Sequence, residues 1–488
     1  MCIPFLLILS YCSLSWAQEH PSVLIVGSGP AGVAAATKLL KNNFTNVKIL
    51  EAENRIGGRI HSLKFGDAYV DLGAEYCHGE EGNVVYSMVK DLNVLVHPKP
   101  NVTVLSSNGE EVNRTVVDKV LRLVYFLGGS QPDDETQKDC ENALSLGECV
   151  DSRYEKWTEN ADNDKLVLKD LKSWTENCIL SYDSSFDTHD SLYKADFKSC
   201  DGDNGMHWDG HGYKTILDVM MQKFPDPRQQ LPIDDKVLLG KEVTGITKWK
   251  TGGMVQISCS DGSVYFADHV IFSPSVGVLK ADHSKMFQPS LPEEKISAIN
   301  NIGFGSVVKV FFHYPERVNR FGGVLCIVQN SKDLQEVTGV NEVLLSNVVC
   351  ILDVDHNPNV LVAWFAGKNV TAIESLNNDQ IMEAQKYWTK NIFGPKFNIG
   401  LPDKILKSTW YTNPHFRGTY SYASVKGHSK GGGGFPSSLA TPLVDDDGVP
   451  RVLFAGEATH PHFYSTVHGA IETGYREAER ILKLYNID

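Results

Sequence analysis

Gly27, Gly29 and Gly32 space a GxGxxG turn between an apolar stretch, "SVLIV", and an alanine- and leucine-rich one, "AGVAAATKLL". Gly27 permits the tight turn, Gly29 lets the backbone approach a pyrophosphate, and Gly32 lets a helix pack closely on a strand. A diphosphate beside Ala31, at the start of that helix, would meet free N–H groups and the favourable end of the dipole. Glu51 closes the next apolar stretch, "NVKIL", nineteen residues after Gly32. A carboxylate there can accept hydrogen bonds from the ribose hydroxyls of an adenosine. Directly afterwards, "AENRIGGRIHS" sets Arg55, Gly58 and Arg59 around a second glycine turn. That suits a second approach to the same diphosphate, with a cation to offset its charge, which a simple NAD-binding unit does not need.

Other residues could carry chemistry. Lys309 stands in "SVVKVFFHY", flanked by apolar residues on both strand faces. Burial disfavours the charged form of a lysine, which would fit Lys309 for proton handling or oxygen reduction. His78 follows a small-residue turn, Gly73-Ala74, in "YVDLGAEYCHG". "STWYTNPHFRGTYSYAS" is rich in aromatics, and Tyr420 and Tyr422 share a face if the chain is extended. In "VLFAGEATHPHFYSTVHGA" an apolar strand delivers Glu457, and Ser465 and Thr466 precede a helix opening near Val467. The free N–H groups of such a helix would stabilise developing negative charge.

These residues need a scaffold that gathers distant segments. Strand, glycine turn, helix and strand predict a parallel α/β unit at the start. "KEVTGITKWKTGGMVQISCSDGSVYFADHVIF" predicts hairpins with Gly-Gly and Asp-Gly turns before a buried strand. The fold class is α/β: a discontinuous Rossmann-like nucleotide domain, residues 18–95, 235–285 and 440–488, carrying an inserted α+β substrate domain, 96–234 and 286–439. Low-complexity sequence is confined to "KGGGGFPSS", expected as a surface loop.

The 488 residues are 42% hydrophobic, with a net charge of −14. That argues against a nucleic-acid partner and suits a cationic one. The opening "MCIPFLLILSYCSLSWAQEH" has an apolar run too short for a membrane span and then Ser15-Trp16-Ala17, so residues 1–17 are expected to be a secretory leader. Asn-x-Ser/Thr triplets at Asn43, Asn101, Asn113 and Asn369 agree with export. Cys140 with Cys149, and Cys326 with Cys350, are plausible local disulfides, although connectivity does not follow from sequence. Nothing has metal-ligand spacing, and there is no second GxGxxG for a pyridine nucleotide, so oxygen is the expected electron acceptor.

GxGxxG, then Glu51, then Arg55 to Arg59 as RxGGR, then Leu72-Gly73-Ala74, resembles the flavin amine oxidase family, and polyamine and spermine oxidases most. The resemblance runs to the C-terminus and implies FAD. It places Val243 at the adenine through its backbone, Glu457 on a ribitol hydroxyl, and Lys309 near flavin N5 through a water. It also implies His78 beside the reacting amine and Tyr420 stacked beside the flavin. Thr419 stands where monoamine oxidases carry a cysteine that bonds FAD, which implies non-covalent FAD. Thr466 replaces a second cage tyrosine, leaving an expected open, hydroxyl-lined wall. Glu75-Tyr76-Cys77 departs from the Ser/Thr, Trp and Ile of relatives. The expectation is a secreted polyamine oxidase that passes hydride from the amine α-carbon to flavin and reduces oxygen to peroxide. Asp196, Asp201 and Asp203 are candidates for a remote ammonium. The rival readings are an oxidase of a monoamine or L-amino acid, with Arg417 as a carboxylate clamp, and a catalytically silent FAD-binding protein.

Overall fold

The structure, a computed structural model, describes residues 21–97, 101–129, 131–159, 165–318, 322–329, 338–354, 356–392, 394–429 and 435–487. The expected leader, residues 1–17, and the glycines 431–434 of the low-complexity stretch lie outside the described residues. Phe435, after that stretch, opens a short helix, Phe435–Ala440.

β1 (Val23–Val26) is buried throughout and pairs in parallel with β2 (Val47–Leu50) on one side and the strand His269–Phe272 on the other. Pro450–Phe454 extends the same sheet beyond His269–Phe272, and Val237–Leu238 lies beyond β2. A strand buried on both faces must be apolar at every position, which "VLIV" and "HVIF" nearly satisfy. His269 is the exception, and it is anchored between the Pro450 carbonyl at 2.6 Å and the Tyr485 hydroxyl at 2.6 Å. The anticipated hairpins form as the antiparallel strands Val243–Thr247, Val255–Cys259 and Val264–Ala267.

α1 (Pro30–Lys41) runs from β1 with proline in its first turn and Lys38 and Lys41 in its last, both suited to the dipole. It packs on the last helix, Val467–Leu484. The approach is close: a Cβ on Gly474 would lie 2.2 Å from the Ala31 carbonyl oxygen.

The second unit is built on a six-stranded sheet, in order Lys404–Lys407, Val308–His313, Val360–Phe365, Val348–Asp353, Gly323–Val328 and Asn101–Ser106. Helices Arg114–Leu127, Leu146–Glu159 and Lys165–Asp183 cover one face through a core of Val120, Leu171 and Trp174. Two domain boundaries differ from expectation. Met206, Trp208, Tyr213 and Ile216 share the core of α1 and the last helix, so the chain rejoins the nucleotide unit before residue 235. Phe287, Ile299 and Ile302 pack with Val26 and Phe272 on the sheet's other face, so it leaves after residue 285. The apolar faces of short helices decide these boundaries, and connection lengths do not show them.

Candidate active site

A cavity of about 1360 Å³ runs between the two units. It begins at the glycine turn after β1. Gly27 has φ +95°, and a Cβ on Gly32 would lie 2.0 Å from the Gly27 carbonyl oxygen, so both positions require glycine. Gly32 therefore serves packing and does not itself line the cavity. Gly58 has φ +57°, and its Cβ would stand 3.0 Å from the Gly29 Cα. The two glycine turns thus face each other. No side chain caps the N-terminus of α1 at Gly29, so its first N–H groups are left for a ligand.

Glu51 is buried on the cavity wall. Its Oε2 accepts from Ser28 N at 2.7 Å and Ser28 Oγ at 2.6 Å, and its Oε1 accepts from Glu53 N at 2.8 Å. Those bonds fix the carboxylate at the end of β2. Val243 lines the same end, and Gly73, Ala74 and Val467 line the middle. Facing glycine turns, uncapped N–H groups and a fixed carboxylate fit the diphosphate and ribose of FAD.

Arg59 and Arg55 part company. Arg59 lines the cavity and donates through Nη1 to the Thr419 carbonyl at 2.6 Å and Glu457 Oε1 at 3.0 Å. Arg55 does not line it, correcting its place among the cofactor contacts. Its guanidinium lies between the rings of Trp410 and Phe416, 5.9 and 5.8 Å from their centres, and Nη1 donates to the Ile60 carbonyl at 3.1 Å. It braces the second glycine turn from behind. Glu457, also buried, takes Ser421 Oγ at 2.6 Å and Ser465 N at 2.8 Å on Oε2. It joins the end of the last sheet strand to the second glycine turn.

Lys309 is 2% exposed. Nζ donates to the Asp71 carbonyl at 2.9 Å, the Gly73 carbonyl at 2.8 Å and Glu75 Oε2 at 2.6 Å, and it lies 4.4 Å from the centre of the Trp364 ring. The lysine anticipated as desolvated is buried with a carboxylate partner. A buried ammonium without one is too costly to keep, and Glu75 supplies it. All three ammonium protons are engaged, so Lys309 holds the Leu72-Gly73-Ala74 turn against the cavity. Tyr76 sits 6.2 Å from Trp364 and 6.0 Å from His78, continuing the wall.

His78 is open to the cavity yet deep in the protein. Its Nδ1 is 2.7 Å from the Asn204 carbonyl oxygen. A carbonyl only accepts, so Nδ1 carries the proton and neutral His78 presents Nε2 as an acceptor. Burial pulls the imidazole below the ordinary histidine value, against the opposing bond to Asn204.

Tyr420 and Tyr422 both line the cavity. Tyr420 donates its hydroxyl to the Ser181 carbonyl at 2.6 Å, so its ring, not its O–H, is what it offers. The Tyr422 ring packs over Gly303, where a Cβ would meet it at 2.3 Å. Ser465 and Thr466 line the cavity, but their hydroxyls are engaged inward. Ser465 donates to the Ser421 carbonyl. Thr466 donates to the Phe463 carbonyl at 2.7 Å and caps the last helix by accepting from Gly469 N at 3.0 Å. The open hydroxyl wall is therefore corrected to a capped helix start.

Asp196, Asp201 and Asp203 do not line the cavity. Asp203 sits 3.0 Å from His97, and the Asp201 carbonyl accepts from Glu80 and Glu81. Sequence reasoning passed over Asp183, Trp364 and the role of Glu75. Only Glu75 left a trace, as a charge beside the Gly73-Ala74 turn. Among the described residues no group of His, Cys, Asp and Glu could hold a metal.

Facing glycine turns on a parallel sheet, opening into a cavity that runs on between the two units, fit a flavoprotein oxidoreductase. The chain belongs to the flavin containing amine oxidoreductase family, whose pattern it matches over residues 30–482. FAD is the cofactor of that class. The chain is 29% identical to the probable polyamine oxidase 5 of Arabidopsis thaliana over 95% of this chain and 98% of that protein. It is 28% identical to the human peroxisomal N(1)-acetyl-spermine/spermidine oxidase over 97% of each. A redesigned putrescine oxidase shares the fold with a TM-score of 0.60 at 19% identity, over 95% of this chain and 99% of that one.

Proposed function

We propose that the protein is a secreted oxidase of polyamines of the spermine type, with FAD held non-covalently and oxygen as acceptor. The carrying observation is His78, whose Nδ1–H is fixed on the Asn204 carbonyl so that Nε2 can accept from an amine N–H in the cavity. Bound FAD would supply the acceptor for the hydride of the amine α-carbon, with oxygen as the final oxidant. The residues do the rest. His78 orients the neutral amine, Tyr420 and Trp364 exclude water, and the Lys309–Glu75 pair fixes the turn beside the reacting centre. The released imine hydrolyses to an amine and an aminoaldehyde.

The polyamine relatives, matched over nearly their whole length, support this substrate class. An L-amino acid would need an arginine for its carboxylate. The cavity's arginines are engaged, Arg59 by Glu457 and Arg417 by Asp282 at 3.4 Å. Two features support export. Cys140 is bonded to Cys149 and Cys326 to Cys350, and disulfides persist in oxidising compartments. Asn43, Asn101 and Asn113 of the glycosylation triplets are exposed. No described helix is long and apolar enough to cross a membrane.

The test is the visible spectrum of the purified holoprotein mixed without oxygen with spermine, a monoamine or an L-amino acid. Bleaching of the flavin by spermine at far lower concentration than by a monoamine, and none by an L-amino acid, is expected. A flavin that no amine bleaches overturns the enzyme, and bleaching only by a monoamine or amino acid overturns the substrate class.

A further inference from the structure

Six carboxylates line the cavity: Glu51, Glu75, Asp183, Glu242, Asp282 and Glu457. Four are engaged within the protein: Glu51 by Ser28, Glu75 by Lys309, Asp282 by Arg417 and Glu457 by Arg59. Glu242 stands beside Val243 at the nucleotide end. Asp183 differs from all of these. It ends the helix Lys165–Asp183 and enters the chamber next to the aromatic wall. Ser181 and Ser184, on either side of it, hold Tyr420: the Ser181 carbonyl accepts the phenol proton, and Ser184 Oγ donates to the Tyr420 carbonyl at 2.9 Å.

The donors on the Asp183 Oδ1 are small and neutral. Oδ1 accepts from Ser185 N at 3.3 Å and Ser185 Oγ at 3.0 Å, and Ser191 Oγ donates in turn to Ser185 Oγ at 2.8 Å. None of the groups that act on it most strongly is a lysine or arginine. Burial alone accounts for a carboxyl pushed up to about 6, with these hydrogen bonds opposing. Three phenols line the same cavity. Tyr420, Tyr422 and Tyr464 are each pushed up by burial first and then by the Asp183 charge. Tyr420 donates its hydroxyl to the Ser181 carbonyl, so that O–H is not spent on the acid.

An acid buried without a cation is costly to hold ionised. A cation arriving from outside would relieve that cost, and tyrosine faces around it would add cation–π attraction. We propose that Asp183, which lines the cavity together with Tyr420, Tyr422 and Tyr464, is the anchor for the second ammonium of an extended polycationic amine whose reacting nitrogen lies at His78. The inference rests on the polyamine reading. It places the specificity charge inside the chamber, at the end of a helix, and not on the acidic loop of Asp196, Asp201 and Asp203.

The test compares wild type, Asp183→Asn and Asp183→Glu as FAD-loaded proteins. One readout is flavin bleaching without oxygen by spermine and by a secondary monoamine of similar length. The other is calorimetric binding of a bis-quaternary diammonium alkane, which has no oxidisable N–H and so reports capture alone. Asp183→Asn is expected to raise half-saturating spermine and the diammonium Kd by about 10- to 100-fold, leave the monoamine within about twofold, and keep the wild-type flavin spectrum. Asp183→Glu, which retains the charge, is expected to recover most of the binding. Equal diammonium affinity in wild type and Asp183→Asn overturns the anchor while spermine bleaching upholds the polyamine reading. A parallel loss of spermine and monoamine, unrelieved in Asp183→Glu, overturns it as a specificity residue. Wild type that spermine does not bleach overturns the reading beneath it.

Discussion

Lys309 Nζ and Glu75 Oε2 stand 2.6 Å apart, and the lysine's remaining protons go to the carbonyls of Asp71 and Gly73. Breaking one side of a buried pair leaves a charge with no counter-charge, at a cost of about 3–5 kcal/mol. Glu75→Ala should therefore lower the melting temperature sharply. The double variant Glu75→Leu with Lys309→Met removes both charges and should regain most of that loss. Calorimetric melting of the single and double variants checks this. If both melt equally low, the pair is not what holds the turn.

His78→Ala should slow amine-dependent flavin bleaching by roughly 100-fold, the scale of a lost positioned acid–base group. The flavin spectrum should be unchanged, because His78 touches none of the glycine turns. Rapid mixing without oxygen measures the step directly. An unaltered bleaching rate would remove His78 from the amine site.

Gly474→Ala should force α1 and the last helix apart. Its Cβ would lie 2.2 Å from the Ala31 carbonyl oxygen and 3.0 Å from Ala34 Cβ. Overpacking of this kind costs about 1–3 kcal/mol. Because Ala31 begins the helix that faces the diphosphate, flavin release on heating should come at a lower temperature. Gly400, with nothing within 4 Å of its Cβ position, is the matched control. Flavin fluorescence against temperature distinguishes the two.

Acid should destabilise the fold through His468. The side chain is 3% exposed, and burial first, then His78 and His460, pulls its imidazole down to about 3. Its Nε2 meets Cys200 Sγ at 3.9 Å. An unfolded histidine titrates near 6.5, so between these values the unfolded chain binds the proton and the folded one does not. The stabilisation is full above about pH 6.5 and is lost as pH falls toward 3, amounting to about 2 kcal/mol between pH 7 and pH 5. The stability difference between wild type and His468→Gln should narrow by that amount over this range. A constant difference would place the proton elsewhere.

Much of the nucleotide half was legible because its chemistry is local. The turn at Gly27, the packing of Gly32 and the acid at Glu51 follow from short spacings that one strand and one helix impose. Arg55 and Arg59 show the limit. They are four residues apart on one turn, and only tertiary packing decides that Arg59 meets Glu457 while Arg55 lies between Trp410 and Phe416. Lys309 stood out as a charge in an apolar strand, but its partner Glu75 comes from a segment 234 residues away. Asp183 was invisible for the same reason. In sequence it is one acid at a helix end, and its meaning comes from Tyr420, Tyr422 and Tyr464 arriving from elsewhere. Ser465 and Thr466 were expected to open a hydroxyl-lined cavity wall, which overlooked that a helix start claims such groups for its own N–H and carbonyl neighbours.

The nucleotide sheet is assembled from both ends of the sequence. β1 cannot be flanked on both sides until His269–Phe272 exists, and Arg59 has no carboxylate until Glu457, 398 residues later, has been made. A nascent chain on the ribosome therefore exposes its first glycine turn long before the rest of the cradle is present. Contacts this remote in sequence form late and slowly. The cradle is complete only once Glu457 and the strand before it have been made and have joined the first glycine turns.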